Sequence, residues 1–253
     1  MDEVAGSAPG QNLPPTERPI GAGGALIGVV DSPKVTFERI ARAKSWSFLI
    51  PYVVLLVLTA VSSWVFTKRA DMEAFTRDQI QRSPFASRLT PEQIDEAAKQ
   101  AAQRPPAYAV VTGTAGIAIL LVLVAVVFWL AMMAVGGSTG FLGAWRTVCW
   151  AQIPTILRTA VATAMMYVKD PTYMDMQNPV ATNLGAILGR DALPAPLYSL
   201  LSSLDIVTFW MLWLYVLGLS AEGQVSKGRT SAVVFGLYGV VVIIGIGWSL
   251  FFR

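Results

Sequence analysis

Residues 108–135 read YAVVTGTAGIAILLVLVAVVFWLAMMAV, 28 positions without a charged side chain. A bilayer hydrocarbon core about 30 Å thick is crossed by about 20 apolar residues in a helix. The run is apolar on every face, whereas a helix on a soluble core keeps a polar side. A barrel strand would alternate over about ten residues. With no water to satisfy the backbone, the run predicts a membrane-spanning helix. Four further stretches follow the same rule, at residues 45–67, 145–168, 200–221 and 230–252. Trp46, Tyr52, Trp64 and Trp129 lie near span ends, where interfacial aromatic residues collect. The third stretch holds Arg158 and the fourth Asp205. The expected fold is all-α: a polytopic bundle of five transmembrane helices.

Composition agrees. Of 253 residues, 54 % are hydrophobic and 14 % charged, against about a quarter charged in a soluble domain. Disorder of the whole chain is excluded by the same figures. The net charge of +3 is mild. Its bases flank the apolar runs, which suits lipid headgroups better than nucleic acid. The excess of arginine over lysine and the abundant alanine point to a GC-rich bacterium. The first apolar run begins behind a polar, basic stretch, too late for a cleavable signal peptide, so the first span is expected to direct its own insertion.

Outside the spans, residues 1–25 form a Gly/Pro/Ala-rich tail expected to be disordered, and residues 26–253 form the membrane domain. Residues 31–44 read as a short helix, with Ser32 as cap and Pro33 in the first turn. Phe37 and Ile40 share one face, and Lys34, Arg39 and Arg42 supply positive charge beside it. This helix is expected to lie in the headgroup layer; a plain solvated helix leading into the first span is the alternative. The loop 68–106 contains Thr90-Pro91-Glu92-Gln93, a capping box with proline at the first helical position. It predicts a helix to Gln103, packed on Met72, Phe75 and Ile80 of a helical extension of the first span or solvated independently. Residues 169–196 read as a surface-lying connector.

The chemistry available is sparse. There is no histidine and a single cysteine, Cys149, which excludes His-based dyads and Cys-based metal clusters. All six lysines fall outside the spans or at their ends. No phosphate-binding Walker loop is present, and Gly136–Gly140 fits a tight turn better than a phosphate cradle. No enzyme activity, cofactor, metal or nucleic-acid partner is expected, and no small-molecule ligand is identifiable.

Arg158 and Asp205 carry the most information. A charge near the bilayer centre costs on the order of 3 kcal/mol on insertion scales. If spans three and four run antiparallel, the two lie about 15 Å and about 8 Å from the same face, at about 1.5 Å per residue. A snorkelling arginine bridges that offset. Arg146 and Glu222 come near each other at the opposite membrane face. The pair Arg158–Asp205 reads either as a polar path or ligand site, or as a structural ion pair fixing helix register. Pro154 lacks an N–H and is expected to kink span three.

Asp31-Ser32-Pro33 with Thr36-Phe37, Gly136–Gly140 with Phe141, Trp150-Ala151-Gln152-Ile153-Pro154, Asn183-Leu184-Gly185, and Leu204-Asp205 with Phe209 and Trp213 occur in that order. Taken together over residues 26–252, they resemble the Yip family of membrane proteins, named for interaction with Ypt/Rab GTPases; the long loop 68–106 is similar to that of bacterial members. The resemblance implies five helices, a cytoplasmic N-terminus and no catalysis. Its eukaryotic link to Rab GTPases does not transfer to a bacterium. Charge does not orient the chain, because Lys34, Arg39, Arg42 and Lys44 before the first span balance Lys68, Arg69, Arg77 and Arg82 after it.

The expected function is that of a non-catalytic scaffold or membrane-organising protein in the bacterial cytoplasmic membrane. Its expected partners are the lipid bilayer and other membrane proteins or a second copy. The competing class is a transporter or channel subunit with a polar path around Arg158 and Asp205. The odd span number and lack of inverted repeats disfavour transport.

Overall fold

The computed structural model describes residues 20–83, 85–169 and 179–251. Every regular element there is helical. In chain order these are α1 (Ala22–Asp31), α2 (Pro33–Ala43), α3 (Leu49–Arg69), α4 (Met72–Gln81), α5 (Pro91–Gln103), α6 (Pro106–Ala134), α7 (Phe141–Trp150), α8 (Ile153–Val168), α9 (Leu184–Leu188), α10 (Ala195–Ser203), α11 (Ile206–Gly223) and α12 (Lys227–Phe251). Four stretches are long and apolar enough to cross a membrane: Trp46–Arg69, Pro106–Ala134, Ile206–Gly223 and Lys227–Leu250.

The stretch 145–168 is not one helix. Its ladder runs as far as the Ala151 N–H, which donates to the Thr147 carbonyl, then breaks at Ala151-Gln152 and restarts as α8. Pro154 cannot donate, and its ring would crowd the carbonyl four residues back. A full break three residues ahead of the proline replaces the expected kink, leaving Pro154 in the first turn of α8, where its missing N–H costs nothing. The stretch 200–221 is likewise divided. α10 stops at Ser203, Leu204 and Asp205 intervene, and the long apolar helix begins at Ile206.

The tail expected over residues 1–25 lies outside the described residues as far as residue 19; beyond that, α1 begins at Ala22. Asp170–Asn178 of the connector, Phe252 and Arg253 also lie outside them.

The chain forms two compact units. The first takes in the chain up to Val53 with Leu121–Ile153 and Met211–Val234. Its α2 closes on Lys44, a left-handed residue at φ 46° whose N–H bonds the Ile40 carbonyl. Phe37 and Ile40 are 1 % and 4 % exposed, so the apolar face of α2 is covered by protein and does not rest in the headgroup layer. The physical reason is Gly218 on α11. A Cβ there would collide with Thr147 Cγ2 and come within 2.9 Å of the Phe37 ring. The missing side chain is the seat for Phe37, and burying a Phe there contributes about 2–3 kcal/mol. Lys34, Arg39 and Arg42 lie along the same helix. The outward apolar residues in this segment are Ile27 and Val30 of α1. Trp150, Phe48, Met132, Leu214 and Leu219 complete the core.

The second unit comprises Val54–Leu120, Pro154–Trp210 and the chain from Phe235. α4 is a separate helix and not an extension of α3. Asp71 caps it, accepting from the Ala74 N–H at 2.9 Å. In α5, Thr90 Oγ1 accepts from the Gln93 N–H while Gln93 Oε1 accepts from the Thr90 N–H. The two helices pack together, burying Ile94 and Ala98. Arg77 joins them, bonding Glu73 on its own helix at 3.0 Å and Asp95 on α5 at 2.9 Å. Asn183 and Asp205 form an isolated antiparallel bridge. It is extended by Leu184 N–H to the Leu204 carbonyl and Ile206 N–H to the Thr182 carbonyl, both at 3.3 Å.

Candidate functional site

In each unit an arginine–carboxylate pair borders a cavity. In the first unit, Arg146 on α7 meets Glu222 on α11 through one guanidinium edge, Nε to Oε1 at 2.9 Å and Nη2 to Oε2 at 3.3 Å. The side chains are 9 % and 8 % exposed, so a pair expected at the membrane face is buried. Gly143, one turn before Arg146, makes the approach possible: a Cβ there would stand 2.7 Å from Glu222 Oε2. Fork-to-fork geometry of this kind is directional as well as strong. A cavity of about 370 Å³ adjoins it, lined by Lys44, Trp46, Phe48, Ser138 and Leu142 among others. Nearby, Gln152 in the helix break donates from Nε2 to the buried Tyr215 hydroxyl at 2.7 Å.

In the second unit, Arg158 Nη1 donates to Asp205 Oδ2 at 3.1 Å. The arginine side chain is 39 % exposed and the aspartate 6 %. Asp205 is the residue before α11, and its side chain works as that helix's cap. Oδ1 accepts the Val207 N–H at 3.2 Å and Oδ2 the Thr208 hydroxyl at 2.8 Å. The sequence placed this charge inside a span. The fold puts it at a helix start, where unpaired N–H groups and the helix dipole favour an anion. The cost of burial is therefore met by the backbone as well as by Arg158.

Beside this pair is a cavity of about 430 Å³. Ser62, Ser63 and Phe66 come from α3, Ala109 from α6, Arg158, Thr159, Ala162 and Met166 from α8, and Thr182 and Asn183 from the segment before α9. Their spacing repeats every three or four residues, so each helix presents one face. Of these, only Arg158 was singled out for its chemistry from sequence. The adjacent Ser62-Ser63 in an apolar run and Thr159 beside Arg158 were the available signals. Asn183 is held by capping α9, its Oδ1 accepting the Ala186 N–H at 2.8 Å.

Comparison with known proteins adds the following. The Yip1 domain family profile matches residues 27–249. The chain is similar to Membrane protein YknW of Bacillus subtilis (strain 168), at 25 % identity over 236 residues, covering 91 % of this chain and 90 % of that protein. No solved structure matches the chain.

Proposed function

The chain belongs to the Yip1 domain family and is a membrane protein, and from that premise we propose that it acts without catalysis, organising its neighbours in the bacterial cytoplasmic membrane by lateral helix packing. The observation that carries this reading is the uneven covering of its apolar helices. Ile206–Gly223 is 44 % buried in its most apolar window, while Trp46–Arg69 and Pro106–Ala134 are 22 % and Lys227–Leu250 only 6 %. Val240, Val241, Ile243, Ile244 and Trp248 of α12 are all exposed. In a bilayer such faces meet lipid or the helices of other proteins, where close packing supplies the attraction.

The same reading has five passes: α3, α6, α7 with α8, α11 and α12. The two shorter helices together supply 26 residues, enough at about 1.5 Å each to cross the core. The N-terminus is cytoplasmic. Cysteine labelling at Gly10 and Ala86, with Cys149 replaced by serine, is expected to report opposite sides; labelling from one side refutes the arrangement. For function, photo-crosslinking from Val241 in native membranes is expected to trap discrete membrane-protein partners or a second copy. Reconstituted liposomes are expected to pass ions and small solutes no faster than empty ones. Flux above that background refutes the scaffold reading in favour of transport.

A further inference from the structure

We propose that the cavity beside Arg158 binds a phosphate group, and that its source is the headgroup of an anionic phospholipid. The inference goes beyond the scaffold reading and does not depend on it. The starting point is an imbalance of hydrogen-bonding capacity. Asp205 is engaged at both oxygens, by Arg158, Thr208 and Val207. Asn183 has its side-chain oxygen occupied by the Ala186 N–H. What stays open among the described residues is donating capacity. A guanidinium has five N–H groups, and Arg158 spends one of them, on Asp205. The Asn183 amide nitrogen and the Ser62 hydroxyl also have no protein partner among the described residues. No carboxylate is among the residues lining the cavity.

Two further cations follow lining residues along their helices. Arg69 lies one turn beyond Phe66 on α3, and its Nη2 donates to the Lys169 carbonyl at 2.9 Å. Lys169 in turn lies one turn beyond Met166 of α8. Arg158 at the wall is paired with one carboxylate, Asp205, which is already engaged in capping α11. An anion entering the cavity meets preformed donors in a partly desolvated setting, where charge-assisted bonds are strongest. Phosphate suits a planar fork and hydroxyls better than a lone carboxylate does, since it offers more acceptor oxygens. The donor wall is also held still: Asn183 is bridged to Asp205.

The lining also has an apolar part. Phe66, Ala109, Ala162, Met166 and Val180 give nothing to a free inorganic anion but match an acyl chain. At about 430 Å³ the space lies within the usual range for ligand pockets. A phosphate joined to hydrocarbon fits both halves.

The test uses the purified full chain in detergent micelles and native mass spectrometry, with dioleoyl phosphatidylglycerol, dioleoylglycerol lacking phosphate, and inorganic phosphate. The wild type is expected to retain one phosphatidylglycerol and no dioleoylglycerol above background. Arg158→Gln is expected to weaken retention about tenfold, the equivalent of about 1.4 kcal/mol, and Arg158→Lys less. Ala162→Leu, which fills the cavity and leaves Arg158 in place, is expected to abolish retention. Inorganic phosphate at millimolar concentration is expected to compete. Phosphate binding that depends on Arg158 with no lipid retained would overturn the lipid source and keep the phosphate. Equal retention of both lipids, or wild-type retention by both Arg158→Gln and Ala162→Leu, would overturn the proposal altogether.

Discussion

Two of this chain's arginine–carboxylate pairs border cavities, and their surroundings give them different work. Arg146–Glu222 is closed: bidentate, with both side chains below a tenth exposed. Arg158–Asp205 is open on one side: one bond, an aspartate held by a helix start, and an arginine 39 % exposed to a cavity. A closed pair commits a whole guanidinium edge to a buried carboxylate and fixes the register of α7 on α11. An open pair keeps donors in reserve. Ion pairing alone thus says little about role; what matters is how many donors and acceptors are left over.

The sharpest way to break the comparison is at the closed pair. Removing one member of a buried ion pair leaves an uncompensated charge and typically costs about 3–5 kcal/mol. Arg146→Gln and Glu222→Gln are each expected to fall in that range. The double variant is expected to cost clearly less than the sum, because the two residues are coupled. Reversible unfolding in mixed micelles measures all three. Singles within about 1 kcal/mol of wild type would mean that Glu222 finds another donor or water.

Space provides the next test. Gly218→Ala forces a methyl group into Thr147 and the Phe37 ring, and overpacking of this kind costs about 1–3 kcal/mol. Ala162→Leu adds more volume, but into a cavity, and is expected to change stability by less than about 1 kcal/mol. If the two substitutions cost the same, the second unit is as tightly packed as the first at these positions, and its cavity is smaller than its walls suggest.

What the sequence disclosed divides along physical lines. Apolar runs report on the solvent they face, so α6, α3 and α12 were legible from hydropathy. Thr90 and Gln93 were legible too, because a capping box acts across three residues. Interactions set by tertiary context were not. Phe37 and Ile40 form an amphipathic face that lipid and protein would cover equally well, and only Gly218, far along the chain, decides for protein. The first turn of α1 is Ala22-Gly23-Gly24-Ala25, a composition that reads as linker, yet it is helical, and Ala25 is 1 % exposed. The break before Pro154 was legible as a disturbance but not as a complete restart, since proline is accommodated either by a kink or in a first turn. The Arg158–Asp205 contact is visible from depth alone; the cavity is not, because Ser62, Thr159 and Asn183 come from three separate segments.

At the open pair the expected effects are modest, and their asymmetry is diagnostic. Asp205→Asn keeps a side-chain oxygen able to cap α11 at Val207, so the cap itself is largely retained. It loses the charge that holds Arg158, and arginine has no neutral form to fall back on. It also weakens the bond from Thr208. A loss of about 1–2 kcal/mol is expected, in keeping with hydrogen bonds to a charged group. Arg158→Gln removes the partly exposed member. Asp205 keeps the Val207 N–H, the Thr208 hydroxyl and the dipole of α11, so its cost is expected to stay below about 1 kcal/mol, as for exposed ion pairs. The order Asp205→Asn above Arg158→Gln therefore tests whether the aspartate is anchored by the helix and the arginine is the free hand. The reverse order would mean that Arg158 is the principal support of a buried carboxylate. The second pair would then be a structural lock like the first, and the donors counted as open would be committed to holding the fold.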